Sequence, residues 1–440
     1  MFGRKRVLLF GLGLFALGSV LSGLAQSMPQ LIAMRTLQGL GAGAVGPIII
    51  TLIGDLFTLR ERAKVQGLFS GVWGGSSLIG PALGGLLTDQ LSWRWVFFVT
   101  LPFAAVSAWI LWRHVHENVT HRATAPIDWI GAGLLLAGST MLLFAVLSGA
   151  DQPLVRVLAF LAIAFVLLGA FVWWERRVED PVLPIDLMFE PHIASAMVGS
   201  FLIGALLFGI DTYIPLFVQG VRSGKATQAG QVITPLFLAW AISVAVAAKV
   251  VVRLGFRKTA VAGSFLIAAG MTCLTLGTVW PLRSRYFFLV GNVVVGLGMG
   301  PTSLSYILGV QNVVEWGKRG AATAATMFFR TMGGALGVGL LGASLGFELV
   351  RRLASSPGID VGAALRPETH SRLSAAELHI VQSAMGLSLR DVFLEMLAMA
   401  GLAILCSVGL RGGRAVEPGE DQVNQDLIES ENEIVSGLDL

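Results

Sequence analysis

Gly39-Leu40-Gly41-Ala42-Gly43 recurs as Gly296-Leu297-Gly298-Met299-Gly300, and this internal repeat decides how the chain is organised. A basic turn precedes each copy, Gly3-Arg4-Lys5-Arg6 in the first and Gly255-Phe256-Arg257-Lys258 in the second. Two long apolar segments precede the second basic turn, whereas none precedes the first. Because two copies of one repeat should carry equal numbers of helices, we expect a first half that lacks two helices.

The composition is that of an α-helical protein that crosses a membrane many times. Hydrophobic residues make up 55% of the chain and charged residues 13%, against about 25% charged residues in soluble proteins. Apolar runs long enough to cross a bilayer recur along the chain, without the alternation of β-barrel strands. We predict an all-α, polytopic membrane protein with about twelve spans, at 7–25, 30–56, 63–88, 94–113, 128–149, 154–174, 193–219, 227–250, 259–279, 285–309, 321–349 and 391–411.

The basic residues indicate how the chain is oriented in the membrane. If residue 1 is cytoplasmic, the turns on the cytoplasmic side hold most of the lysines and arginines, as the positive-inside rule requires. The sequence therefore predicts a multi-pass protein of the cell membrane with both termini in the cytoplasm. The net charge of +4 follows from this topology and gives no reason to expect nucleic-acid binding.

Residues 1–27 admit a second interpretation, as a cleaved signal peptide. They offer a basic start, an apolar stretch and small residues near Ala25. However, the apolar stretch from Val7 to Ala25 exceeds the usual length of about 7–15 residues, and the repeat requires a membrane helix at this position. We favour the membrane helix.

The spans group into two bundles joined by an insertion. We predict a partial amino-terminal bundle at 1–113 (four of six helices), a two-helix linker at 114–190 and a six-helix bundle at 191–411. An outer loop at 350–390 contains Ser374-Ala375-Ala376-Glu377, a capping-box pattern, so that either a short helix over the outer face or an unstructured loop is expected there. The acidic tail at 412–440 is predicted to be disordered.

Several motifs resemble those of the major facilitator superfamily. Phe2-Gly3-Arg4-Lys5-Arg6 resembles the end of its conserved gating loop, and Gly80-Pro81-Ala82-Leu83-Gly84-Gly85 resembles its glycine–proline motif, found chiefly in antiporters. Trp93-Arg94-Trp95 and Asp128-Trp129-Ile130-Gly131 resemble the drug:proton antiporter branch with fourteen helices. The resemblance thus implies two helices more than the twelve that are visible, in agreement with the repeat.

The resemblance also implies roles for particular residues. Arg35, in Arg35-Thr36-Leu37-Gln38-Gly39, occupies the position of an arginine implicated in proton coupling, although snorkelling to the outer interface is the alternative. Gly80, Gly84 and Gly85 allow close helix approach, and Pro81 permits a bend. The alternative for this motif is packing without motion.

Further candidates follow from polar and aromatic residues inside the spans. Asp211 is expected to be the only acidic residue well inside a span, with an interfacial ion pair as the alternative, and Arg330 is expected inside the bundle near the translocation path. Aromatic and polar residues that would line a substrate cavity, or else belong to the core, are Gln38, Phe208, Tyr213, Trp240 and Phe328.

We therefore predict a proton-coupled efflux transporter, not an enzyme, that exports small amphipathic compounds or drugs by alternating access. This function requires protons, a small amphipathic substrate and a lipid bilayer. The sequence gives no reason to expect a metal, a cofactor or a nucleic acid, and it identifies no periplasmic or outer-membrane partner. The main alternative is a truncated or pseudo-transporter that regulates or scaffolds a partner without transport. A uniporter or symporter is disfavoured by Gly80-Pro81.

Overall fold

The computed structural model describes residues 4–56, 90–115, 128–147, 153–178, 181–183, 185–280, 283–314, 319–354 and 374–412, with single positions between 65 and 88 and at 362. Within these residues the chain folds into thirteen helices. They are α1 (Arg4–Leu24), α2 (Met28–Leu56), α3 (Trp95–Phe98), α4 (Thr100–His114), α5 (Trp129–Leu147), α6 (Leu154–Glu175), α7 (Ile185–Met188), α8 (Pro191–Leu216, extended by a π-helical turn at Phe217–Val221), α9 (Ala226–Leu254), α10 (Phe256–Val279), α11 (Ser284–Val313), α12 (Arg319–Leu353) and α13 (Ala375–Gly409).

Ten segments among the described helices are long and apolar enough to cross a membrane. No strand occurs in the part of the chain that the structure describes, so the prediction of an all-α, polytopic membrane protein is confirmed. Most predicted spans coincide with one helix to within a few residues. The predicted span at 63–88 lies largely outside the described residues.

The last helix departs most from the sequence prediction. Its capping box is present, since the Ser374 hydroxyl accepts from the Glu377 backbone N–H and the Glu377 carboxylate accepts from the Ser374 backbone N–H at 2.8 Å. No separate short helix follows the cap. A single helix of 35 residues continues into the final span, because no proline interrupts the sequence between them.

The second copy of the glycine repeat lies where α11 crosses two neighbouring helices. A Cβ atom on Gly298 would overlap the Gly263 carbonyl of α10, and one on Gly296 would overlap the Leu236 carbonyl of α9. Gly300 likewise faces Ser243 of α9. The absence of side chains therefore lets α11 approach both helices at backbone distance.

The first copy packs in the same way on one side only. A Cβ atom on Gly41 would overlap the backbone of Phe15 in α1, which is the counterpart of the α11–α10 contact. At Gly39 and Gly43 a Cβ atom would meet no atom within 4 Å among the described residues. The α2 face that corresponds to the α9-binding face of α11 is thus open in the described structure.

The two linker helices pack on the second half of the chain. Helices α5 and α6 lie against each other, and α5 also contacts α12. A Cβ atom on Gly339 of α12 would meet the side chains of Val146 and Leu147. Helices α8 to α13 share one hydrophobic core, to which Phe171 of α6 also contributes.

Candidate functional site

A cavity of about 460 Å³ lies between the two groups of helices. Helices α1 and α2 contribute one wall, and α8, α9, α11 and α12 contribute the other. Its described lining is apolar except for Arg330, Ser303, Thr331 and the indole N–H of Trp240. An apolar cavity with a few polar groups is the usual form of a small-molecule site.

Arg330 is the charged residue of this cavity lining. Its guanidinium lies 4.9 Å from the centre of the Trp240 ring, a cation–π contact that offsets part of the cost of a cation in hydrocarbon. No hydrogen bond or ion pair joins the Arg330 side chain to another residue that the structure describes. The cavity therefore presents a cation without a protein counter-ion among the described residues.

Two further hydrogen-bond donors of the cavity lining have no described acceptor. Both the indole Nε1 of Trp240 and the hydroxyl of Ser303 are buried without a hydrogen-bond partner among the described residues, and 8% of Trp240 is exposed. A buried donor without an acceptor costs about 1–3 kcal/mol. The described lining thus offers unpaired donors and holds no carboxylate that could accept from them.

Close helix crossings hold Arg330 and Trp240 in place. Helix α8 passes α12 at Gly204, where a Cβ atom would overlap the Arg330 carbonyl oxygen. Gly296 of the repeat lies against the Trp240 backbone, and the Ser243 hydroxyl donates to the Trp240 and Gly296 carbonyls at 2.9 and 3.0 Å. The glycines that define the repeat therefore also position the site.

Arg35 begins a polar chain beyond the cavity. Its guanidinium donates to the Gln38 carboxamide oxygen at 2.5 Å, and the Gln38 amide donates to the Ser19 hydroxyl of α1 at 2.6 Å. The Phe97 ring lies 5.7 Å from the Arg35 guanidinium. Arg35 is seven residues, or about 10 Å, from cavity-lining Ala42, towards the predicted outer face, and is exposed.

Asp211 lies one turn beyond the cavity on α8. It follows cavity-lining Leu207 by four residues and Phe208 by three, so that it shares their helix face. Asp211 is exposed. The structure does not pair its carboxylate with Arg330 or with any other described basic residue.

Of the five residues predicted for the substrate cavity, Phe208 and Trp240 line it. The other three are absent from its described lining. The Gln38 side chain lies between α1 and α2 on Ser19. Tyr213 is 3% exposed and its hydroxyl donates to the Val338 carbonyl at 2.7 Å, while Phe328 packs edge-to-face on Phe329.

The two conformational motifs are only partly described. A Cβ atom on Gly80 or Gly84 would meet no atom within 4 Å among the described residues, and most of the chain around them lies outside those residues, so close helix approach at this motif stays a prediction. Pro81, Gly85 and Gly3 lie outside the described residues. Arg4 and Lys5 belong to the first turn of α1 instead of a loop, and the Lys5 ammonium donates to the Trp112 carbonyl at the end of α4.

Acidic residues in α12 and α13 were missed by the sequence analysis. Glu395 lies well inside α13 and accepts from the Ser344 hydroxyl of α12. Nearer the end of α12, Arg352 pairs with Asp391 at 2.6 Å and with Glu348 at 3.2 Å. Asp211 is therefore not alone inside the spans. Glu395, four residues into the predicted span at 391–411, was readable from the sequence.

A polytopic helical membrane protein with a cavity shared by two groups of helices has the architecture of a transporter. The Major Facilitator Superfamily model matches residues 1–338. The chain belongs to this superfamily of transporters.

Named relatives fall among multidrug transporters. The chain is 34% identical over 345 residues to "Multidrug resistance protein 3" of Bacillus subtilis (strain 168), covering 78% of this chain and 67% of the relative. It is 30% identical over 351 residues to "Multidrug transporter protein MdtP" of the same strain, covering 78% of this chain and 63% of the relative. It therefore spans about two thirds of the length of these relatives.

The fold is similar to that of a solved human transporter. The crystal structure of the human organic anion transporter MFSD10 (TETRAN) has a TM-score of 0.56 with 15% sequence identity, covering 91% of this chain and 78% of the other. At this identity the likeness shows the fold alone.

Proposed function

We propose that the protein is a proton-coupled antiporter that exports small amphipathic compounds or drugs. The observation that carries the proposal is the cavity of about 460 Å³, which both groups of helices line and which is apolar around one arginine. Such a cavity suits compounds that combine an apolar body with a polar group. The names of the multidrug relatives support the same substrate class.

Alternating access would proceed by one bundle rocking against the other. We assign the moving units as 1–113 and 191–411, with 114–190 as a linker and 412–440 as a cytoplasmic tail. The contact of α5 with α12 supports motion of the linker together with the second bundle. Glycine crossings without intervening side chains, as at Gly41 and Gly298, permit small rotations between packed helices.

Charge handling is assigned to Arg35, Asp211 and Arg330. Arg35 and Asp211 both lie beyond the cavity towards the predicted outer face, on helices of opposite bundles, whereas Arg330 lies within the cavity. Protonation of Asp211 at the outer side and its release at the inner side would couple proton entry to substrate exit. The Arg35–Gln38–Ser19 chain would transmit the state of this region to α1.

Vesicles with an imposed proton gradient test the proposal. A fluorescent amphipathic compound is expected to be exported faster with the gradient than after its collapse, and Asp211→Asn is expected to lose this difference. Equal export with and without the gradient would reject proton coupling. Binding without flux under either condition would favour the non-transporting scaffold.

We further propose that the chain belongs to the fourteen-helix branch and that its full-length form carries an opening helical hairpin. The comparison of the two repeat copies supports this proposal. The α11 face at Gly296 and Gly300 packs on α9, whereas the equivalent α2 face at Gly39 and Gly43 has no described neighbour. Both termini would be cytoplasmic in the cell membrane. The intact mass of the native protein tests the hairpin, because a mass of 46.6 kDa would contradict it.

A further inference from the structure

Resting on the proposed transport function, we infer that the preferred substrate is an amphipathic organic anion, bound head-first at Arg330, Trp240 and Ser303. These three side chains line one cavity and supply a guanidinium, an indole N–H and a hydroxyl. Neither the indole N–H nor the hydroxyl has a hydrogen-bond partner in the part of the chain that the structure describes. The described cavity lining holds no carboxylate.

The site leaves one positive charge, that of Arg330, without a described counter-ion. A cation held in an apolar cavity is stabilised by an anion more than by any neutral group. The ring of Trp240 occupies one side of the Arg330 guanidinium at 4.9 Å, while its donor N–H groups remain without a described acceptor. A sulfonate or carboxylate would accept from the guanidinium, and from the indole or hydroxyl, and so relieve unpaired donors.

The remaining cavity lining fits the apolar body of such an anion. The residues from α1 and α2, such as Leu12, Phe15 and Ile49, are apolar, as is Ile307 of α11. A flat aromatic body placed there would bury its surface while its head group reached Arg330. An organic cation would instead bring a second positive charge into the same volume.

The carboxylate nearest to this site along the chain is that of Asp211. It shares a helix face with Phe208 but lies one turn further on, exposed and outside the described lining. Asp211 is thus separate from the described cavity lining, whose one charged residue is Arg330. A preference for anionic or for cationic head groups therefore shows experimentally whether Arg330 or Asp211 recognises the substrate.

Two probes of one shape and opposite charge measure the preference. Binding of 1-pyrenesulfonate and 1-pyrenyltrimethylammonium to the detergent-purified chain is measured by equilibrium dialysis against matched empty micelles, without a proton gradient. The wild type is expected to bind the sulfonate at least about tenfold more tightly. Tighter binding of the ammonium compound, or binding of neither, would overturn the inference.

Variants assign the preference to the three side chains. Arg330→Gln is expected to weaken sulfonate binding by about tenfold or more and to abolish the preference, and Arg330→Lys to retain it. Trp240→Phe and Ser303→Ala are expected to weaken sulfonate binding by about two- to tenfold. Arg285→Gln removes an exposed arginine outside the cavity and is the control for net charge.

The outcomes separate this inference from the proposed function. Unchanged sulfonate binding in Arg330→Gln would contradict the anion site. It would leave the proposed export unaffected, because the flux measurement with and without a proton gradient tests export separately. If Arg330→Gln does not fold, the wild-type preference and its reduction in Ser303→Ala still decide. A cation preference that disappears in Asp211→Asn would assign substrate recognition to Asp211 and exclude Arg330.

Discussion

Alanine at equivalent glycines of the two repeat copies is expected to have opposite effects on stability. Gly296 and Gly39 occupy the same place in the repeated motif, so the pair is its own matched control. In Gly296→Ala the new Cβ atom would overlap the Leu236 carbonyl oxygen and come within 3.0 Å of the Trp240 backbone nitrogen. In Gly39→Ala the new atom would meet nothing within 4 Å among the described residues.

The magnitudes follow from two opposing terms. Alanine gains about 0.5–1 kcal/mol over glycine inside a helix. Overpacking costs about 1–3 kcal/mol, with the larger values where the obstacle is backbone that no rotamer change can move. We therefore expect Gly39→Ala to stabilise the 440-residue chain by about 0.5–1 kcal/mol and Gly296→Ala to destabilise it by about 1–2 kcal/mol.

Unfolding of the purified chain in mixed micelles of rising SDS content, followed by tryptophan fluorescence, measures the difference. Gly401→Ala, in α13 with no described atom within 4 Å of its Cβ position, controls for helix propensity alone and is expected to behave like Gly39→Ala. Destabilisation by Gly39→Ala comparable to that of Gly296→Ala would refute the assignment of an open face. In a longer product that carries the proposed hairpin, both variants are expected to destabilise.

Three further substitutions test contacts seen in the structure. Gln38→Leu leaves the buried Ser19 hydroxyl without its Gln38 donor and should destabilise the protein by about 1–3 kcal/mol in the same unfolding assay. Export by this variant should depend less on the proton gradient, while sulfonate binding should be unchanged. Ser374→Ala should cost about 1 kcal/mol and speed amide hydrogen exchange in the first turn of α13 only; faster exchange throughout the helix would contradict a local cap. Arg352→Gln, which breaks the 2.6 Å pair with Asp391, should lower the unfolding midpoint, whereas an unchanged midpoint would mean that this pair is solvent-screened.

Apolar runs and glycine spacing were sufficient to predict the helical architecture. The hydrophobic length of each run sets a span, and the repeat places Gly41 and Gly298 in equivalent helix contacts, which the structure shows. Helix ends were predicted less well. The beginning of α13 was placed at 391 because hydropathy falls outside the span, although helix hydrogen bonding continues back to Ala375.

The sequence pointed to some of the cavity residues but not to their grouping. Arg330 and Trp240 stand out as a charge and a large aromatic inside apolar spans, whereas Ser303 resembles many small polar residues of membrane helices. Tyr213 is an aromatic residue with a polar group, as cavity residues often are, but its hydroxyl donates to a backbone carbonyl. The register between α8 and α12 determines this contact. Which helix faces meet is a property of packing that one sequence does not display.

The charge of the substrate decides how the membrane potential drives the proposed cycle. Exchange of one proton inward for one cation outward moves no net charge. Exchange of one proton inward for one monoanion outward is equivalent to moving two positive charges inward, because an anion that leaves counts as a positive charge that enters. At 100 mV, negative inside, two charges supply about 4.6 kcal/mol, equivalent to about a 2,000-fold concentration ratio.

An anion substrate, bound at Arg330, therefore predicts transport that depends on potential as well as on the pH gradient. In proteoliposomes clamped with valinomycin and potassium at equal pH on both sides, a potential negative inside should accelerate release of 1-pyrenesulfonate through right-side-out protein. Release of 1-pyrenyltrimethylammonium by the same exchange should not respond to the potential. Equal responses to potential for the two probes, or none for the sulfonate, would contradict the exchange of a proton for an anion, because opposite substrate charges cannot give the same net charge movement at one proton per cycle.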